Sequence, residues 1–169
     1  MKKILIISAT GNSNYSLAEN FLSCINTEKC FVEIVNLETF NLPLFIPTKF
    51  DHDKKAHISD IIKLTNLMVD SDGFILCAPE YNGNIPPVVS NAIAWISTST
   101  DYWKDAFKGK CFFIASSSGG PAEKFQISME NQLVHLGGIV FNQKIIINSK
   151  NKININIIKK NINDFIKLL

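Results

Sequence analysis

The sequence lacks the residue patterns of a metal site, a disulfide framework and a membrane anchor. Its four cysteines, Cys24, Cys30, Cys77 and Cys111, include no C-x-x-C pair, and two fall inside apolar strand segments where a thiol packs as a small hydrophobe. They are read as reduced and structural, the state expected in a cytosolic compartment. The three histidines, His52, His57 and His135, are neither paired at helical spacing nor close to those thiols, so no zinc ligand set is suggested, and each is read as a surface residue. No apolar run approaches the ~20 residues of a membrane span. The apolar stretch after Lys3 is too short for a signal peptide and runs into a glycine turn, so the chain is expected to be soluble and cytoplasmic. An excess of one charge is also missing. With 17 Lys plus Arg against 15 Asp plus Glu, the net charge is +2, and no basic cluster of the kind that binds nucleic acid stands out.

What the sequence does contain is one domain's worth of ordinary globular composition: 169 residues, 46% hydrophobic and 19% charged. Short β-branched apolar runs alternate with longer helical patterns. Strands are expected at 3–8, 31–36, 73–78, 110–116 and 139–148. Helices are expected at 14–26, 53–70, 87–97, 122–136 and 155–168. Strands this uniformly apolar have no wet face, so helices must cover both sides of a parallel sheet. Right-handed crossovers leave few topologies. The expectation is a single α/β domain over residues 1–169, a flavodoxin-like three-layer sandwich. Its five-stranded parallel sheet has order 2-1-3-4-5, with a ligand crevice at the switch point between strands one and three.

Two loops would face each other there. The first, Ser8-Ala9-Thr10-Gly11-Asn12-Ser13-Asn14-Tyr15-Ser16, is rich in hydroxyls and amides and opens a helix, which is the composition of an anion cradle. Ser and Asn also favour helix starts without any ligand. The loop contains neither the Walker A pattern nor G-x-G-x-x-G. The second, Pro79-Glu80-Tyr81-Asn82-Gly83-Asn84-Ile85-Pro86-Pro87, supplies an aromatic ring, backbone amides and a glycine at the end of the third strand. The segment 42–47 carries two prolines and is read as an edge connector, or as a rim of the cofactor or dimer interface. The Asn-, Ile- and Lys-rich tail from Asn148 onward is read as a closing amphipathic helix and is assigned no chemistry.

The second loop, with Asn91-Ala92-Ile93 and Trp95-Ile96-Ser97 beyond it, resembles the P-E-Y-N-x-x-x-P-x-x-L-K-N-A-I-D-W-x-S signature of the flavodoxin-like NAD(P)H-dependent FMN reductases. That family includes quinone, azo-dye and chromate reductases, and the resemblance spans nearly the whole chain. It implies FMN as cofactor and NAD(P)H as electron donor. Hydride would pass through the flavin to a small-molecule acceptor such as free flavin, a quinone or another oxidant. It implies that Pro79, Glu80, Tyr81, Asn82 and Gly83 border the isoalloxazine ring, largely through main-chain contacts. Ser8, Thr10, Gly11, Asn12, Ser13, Asn14, Tyr15 and Ser16 would hold the ribityl phosphate. The turn after the fourth strand, Ser116, Ser117, Ser118 and Gly119, looks like the family's Ser and Gly turn beside the flavin. Where the family has an arginine in the first loop, this chain has none.

With flavin-centred chemistry, no catalytic side chain and no metal is expected, since the cofactor carries the reaction and the protein orients it. Glu80 is read as capping a turn or meeting a partner chain, Tyr81 as a wall of the site or a dimer contact, Asn82 as fixing the loop by an Asx turn, and Trp95 as core or interface packing. Lys124 is a candidate for a nucleotide 2′-phosphate by position. The resemblance also implies a homodimer or a tetramer, with Phe40, Phe45, Tyr102 and Trp103 as candidate partner-surface aromatics. Two other readings stand beside the reductase: a flavodoxin-type FMN electron carrier, and a binding module that keeps the fold without the flavin.

Overall fold

The computed structural model describes residues 1–169. In chain order the elements are β1 (Lys2–Ser8), α1 (Ser13–Cys24), β2 (Cys30–Asn36), α2 (Phe50–Ala56), α3 (Ile58–Asp70), β3 (Gly73–Cys77), α4 (Pro87–Ser97), β4 (Cys111–Ser117), α5 (Glu123–His135), β5 (Ile139–Val140), β6 (Ile145–Ile147) and α6 (Ile155–Ile166). All strand pairings are parallel, in the order β2-β1-β3-β4-β5, with β6 also on β4. The expected doubly wound sheet is therefore present.

Side-chain alternation along the central strands divides the core in two. Leu5, Ile7, Phe74, Leu76, Phe112 and Ile114 pack with α3, α4 and α5 on one face. Ile4, Ile6, Ile75, Cys77, Phe113 and Ala115 pack with α1 and α6 on the other. This is why the strands read as continuous apolar runs: both pleat faces are dry. Helix α6 shows how the polar tail closes the second face. Ile158, Ile162 and Phe165, at helical spacing, are fully buried. Each contributes about 1.5–3 kcal/mol of burial.

Two expected elements are divided. The stretch 139–148 is not one strand. β5 pairs with Cys111 and Phe112, β6 with Ala115 to Ser117. Phe141 still donates its N–H to the Phe112 carbonyl oxygen (2.8 Å) and packs its ring against Phe113 and Phe165, at centroid distances of 5.0 and 5.7 Å; the ladder lapses after it, over residues 142–144. The helix expected over 53–70 breaks at His57, whose φ of −119° and ψ of 20° are not helical. α3 has an apolar stripe, Ile61, Leu64 and Met68, to hold it against the sheet, whereas α2 buries no residue.

The proline-rich connector is pinned to the flank of α4. Pro43 carbonyl oxygen accepts from Asn91 Nδ2 (3.0 Å) and Trp95 Nε1 (2.7 Å), and Phe45 N–H donates to Asn91 Oδ1 (2.7 Å). Trp95 is buried and stacks against Phe50, with Phe45 edge-on. Asn91 and Trp95 of the signature helix thus hold the connector. Phe40 is buried at this edge and is withdrawn from the candidate partner surface, while Tyr102 and Trp103 remain exposed.

Candidate functional site

Three strand ends, those of β1, β3 and β4, deliver their following loops to one edge of the sheet. Together these loops line an open cleft of about 760 Å³. From the first loop it takes Thr10, Asn12, Ser13 and Asn14; from the second, Pro79, Glu80 and Tyr81; from the third, Ser117, Ser118 and Gly119. Ser8 and Ser116 lie fully buried at the strand ends rather than in the lining. Gly11 and Tyr15 line a neighbouring cleft with Glu33, Asn36 and Lys63. Ser16 is exposed on α1, and Asn82 and Gly83 form the tip of the second loop.

The first loop leaves helix α1 without a side-chain cap. Ser8 Oγ donates to the Thr10 carbonyl oxygen (2.7 Å), and Gly11 N–H donates to Glu38 Oε2 (2.6 Å). The N–H groups of Thr10, Asn12, Ser13 and Asn14 donate to no group of the protein. Four consecutive or near-consecutive amides at a helix start, facing a cleft, form an anion cradle with the helix dipole behind it.

Asn14 is almost fully buried because its side chain works as a clamp rather than as a cap. Its Nδ2 donates to the Ser117 carbonyl oxygen (2.9 Å), and its Oδ1 accepts from Ser117 N–H (2.8 Å). One amide side chain therefore fixes the first loop to the third across the floor of the cleft.

In the second loop, Tyr81 and Asn84 exchange both backbone hydrogen bonds (3.2 and 3.0 Å) around Asn82 and Gly83, which have φ of 52° and 69°. This is the two-residue turn with two left-handed positions for which Asn-Gly is the favoured pair. Lys124 lies over its tip: a Cβ on Gly83 would stand 3.1 Å from Lys124 Cδ. Lys124 itself is outside the cleft lining.

Glu80 is a structural residue here. Its Oε2 accepts from Phe125 N–H (3.0 Å) in the first turn of α5, whose own N-cap residue is Ala122 with no side-chain oxygen to offer. Glu80 N–H donates to Ser118 Oγ (3.2 Å). Glu80→Leu is expected to lower stability by about 1 kcal/mol, the worth of a lost cap, with Glu80→Gln retaining most of it. Thermal melts of both variants check this, and equal losses would show that the carboxamide oxygen does not replace the cap.

A fourth wall was not legible in the sequence. Ile147, Asn148, Ser149, Lys152 and Ile153, from the tail read as chemically silent, complete the lining. The available signal was Asn148 itself, a residue type that organises turns. Among the lining residues Lys152 is the one cation and Glu80 the one carboxylate.

No group of three or more His, Cys, Asp or Glu side chains converges to hold a metal ion. Burial pushes the Cys77 thiol well above the ordinary thiol range, which leaves it a packing residue at the end of β3. No helix is long and apolar enough to cross a membrane.

The sequence matches the family described as NADPH-dependent FMN reductase over residues 2–152. The chain belongs to this family. FMN reductases of this kind use FMN as cofactor and NAD(P)H as electron donor. The fold is similar to that of FerB, a flavoenzyme NAD(P)H:(acceptor) oxidoreductase from Paracoccus denitrificans, with a TM-score of 0.77 at 18% identity over 99% of this chain and 97% of that one. It is also similar to an FMN-dependent NADH-azoreductase of Bacillus anthracis solved in complex with FMN, with a TM-score of 0.63 at 15% identity over 99% and 96% of the two chains. Rubredoxin oxygen:oxidoreductase of Desulfovibrio gigas matches with a TM-score of 0.68 at 13% identity, over 98% of this chain and 35% of that one. At these identities the likeness is one of fold. No curated protein sequence matches the chain.

The residues present fit FMN. The free amides and hydroxyls of the first loop suit a phosphate dianion. Gly119, with nothing within 4 Å of where a Cβ would stand, leaves room for a flat ring to approach the backbone.

Proposed function

We propose that this chain is an FMN-dependent NAD(P)H oxidoreductase that delivers electrons to a small oxidant, such as free flavin or a quinone, admitted to an open cleft. The observation that carries the reading is the uncapped start of α1. Its unpartnered amides open on the same cleft as the 79–81 and 117–119 loops. Thr10, Asn12 and Ser13 hold the phosphate end; Pro79, Glu80 and Tyr81 border one side of the ring, and Ser117, Ser118 and Gly119 the other. When bound, FMN supplies the two-electron chemistry, taking hydride from the nicotinamide and passing reducing equivalents to the acceptor.

The chain's own part is positional. The Asn14 clamp sets the distance between the phosphate loop and the third loop, and the Glu80 bonds hold the second loop against the third. Backbone donors of these loops would supply hydrogen bonds to the ring edge, so no side chain needs to titrate during turnover. The openness of the cleft suits a family of acceptors rather than one tightly fitted substrate. The proposal includes a homodimer, supported by the exposed aromatics Tyr102 and Trp103; light scattering should give twice the mass of the chain.

An anaerobic absorbance titration tests the activity. FMN-loaded protein, freed of excess flavin, should lose its visible flavin band on addition of about one equivalent of NADPH or NADH, and should regain it when a quinone is admitted. Flavin that binds but stays oxidised with both donors would contradict the reductase and favour an electron carrier. Protein that retains no flavin would contradict the cofactor assignment itself.

A further inference from the structure

Residues 148, 149, 152 and 153 line the same cleft as the first, second and third loops and bring to it the one cation of the lining. The conformation of this segment is set by two asparagines. Asn148 Oδ1 accepts from Lys150 N–H and Asn151 N–H (both 2.9 Å), its N–H donates to the Asn151 carbonyl oxygen (2.9 Å), and its Nδ2 donates to the Gly120 carbonyl oxygen (3.2 Å). Asn154 Oδ1 caps α6 by accepting from Asn156 N–H (3.1 Å) and Ile157 N–H (3.2 Å). Ser118 N–H donates to the Ile147 carbonyl oxygen (3.0 Å), which ties the start of the segment to the third loop. Both ends are thus fixed, and Lys152 projects from between them.

Lys152 forms no ion pair, whereas the ammonium groups of Lys2, Lys144 and Lys167 are matched by carboxylates. The only carboxylate of the lining, that of Glu80, is engaged by Phe125 N–H. The first loop offers amides, hydroxyls and side-chain amides but no lysine or arginine. A phosphate dianion in its cradle would therefore meet neutral donors alone unless a cation reaches it from another element. α1 and α6 pack against each other, and the segment leading into α6 lines the same cleft as the start of α1.

We infer that Lys152 is the phosphate countercharge of this cleft. The ammonium group is carried on an Asn-organised turn of the C-terminal tail and selects the phosphorylated flavin over its uncharged parent. The inference rests on the flavin reading above and adds to it the residue that discriminates FMN from riboflavin. A flexible lysine acts here as a point charge rather than as a bidentate fork, so it adds affinity for the dianion without dictating the ring's placement.

The test is fluorescence-quenching titration of flavin-free protein with FMN and, separately, with riboflavin, at low and at physiological salt. Lys152→Gln should raise the FMN dissociation constant about tenfold at low salt, less at higher salt, and leave the riboflavin constant within about twofold. Lys152→Arg should restore FMN binding. Lys150→Gln, two residues away and outside the lining, should change neither. Unchanged FMN affinity in Lys152→Gln would overturn the inference while leaving the flavin site standing. Equal losses for FMN and riboflavin would overturn it as well, since they report a structural role. So would a weakened NADPH constant with FMN binding intact, because that assigns the charge to the nucleotide. Wild-type protein that binds neither flavin would remove the flavin reading and this inference together.

Discussion

Ser13→Asp should raise the melting temperature of the flavin-free protein and at the same time abolish most of its FMN affinity. Ser13 is the first residue of α1, a helix with no acidic residue in its first turn and no side-chain cap. A carboxylate there complements the helix dipole and is worth about 0.3–1 kcal/mol to the fold. The same carboxylate stands where the phosphate would lie and repels a dianion. At a few ångströms and the intermediate screening of an open cleft, that repulsion amounts to about 3 kcal/mol, roughly a hundredfold or more in dissociation constant. Riboflavin affinity should fall far less. The opposed signs separate a ligand site from damage to the fold, because a damaged protein would lose both. Thermal melts and flavin titrations on the same preparation check the pair, and unchanged FMN affinity would move the phosphate away from α1.

The second large effect is expected at Asn14. Asn14→Leu keeps the approximate volume but removes both hydrogen bonds to Ser117, leaving an N–H and a carbonyl oxygen without partners near the floor of the cleft. Unmade bonds of this kind cost about 1–3 kcal/mol each, so a stability loss of about 2–4 kcal/mol is expected. Because the clamp spans the first and third loops, FMN and riboflavin should both weaken, by about tenfold or more. That common loss distinguishes Asn14 from Ser13, whose substitution discriminates between the two flavins. Denaturant melts and the two flavin titrations read both outcomes; a loss of stability with intact flavin affinity would show that the loops keep their spacing without the clamp.

How far the sequence anticipates these results depends on the range of the interactions. The apolar strands of β1, β3 and β4 and the stripe of α6 are local patterns, and they indicate a two-faced parallel sheet without further information. The turn expected at Asn82 is local too, although the Tyr81 and Asn84 backbones close it rather than the Asn82 side chain. The Asn14 clamp is different. From sequence it is one more polar residue at a helix start, and only the juxtaposition of β1 and β4 loops across 103 positions gives it a partner.

Glu80 is a similar case, since its helix-capping contact lies 45 residues away. The division of the edge strand had a local signal in the polar run Asn142-Gln143-Lys144, whereas the packing of Phe141 on Phe113 and Phe165 joins distant parts of the chain and had none. The tail escaped for a compositional reason. Asn and Lys read as bias, yet Asn148 and Asn154 form two specific backbone-capping devices, and Lys152 between them lines the cleft.

The most direct test of the account is an amide-shift map of isotopically labelled, flavin-free protein on addition of FMN and then, in a separate sample, of riboflavin. The Asn12, Ser13 and Asn14 amides should move with FMN alone, while those of Tyr81, Ser118 and Gly119 should move with both. Shifts centred on Gly11, Tyr15 and Asn36, which line the neighbouring cleft, would contradict it, as would equal responses of the first loop to the two flavins.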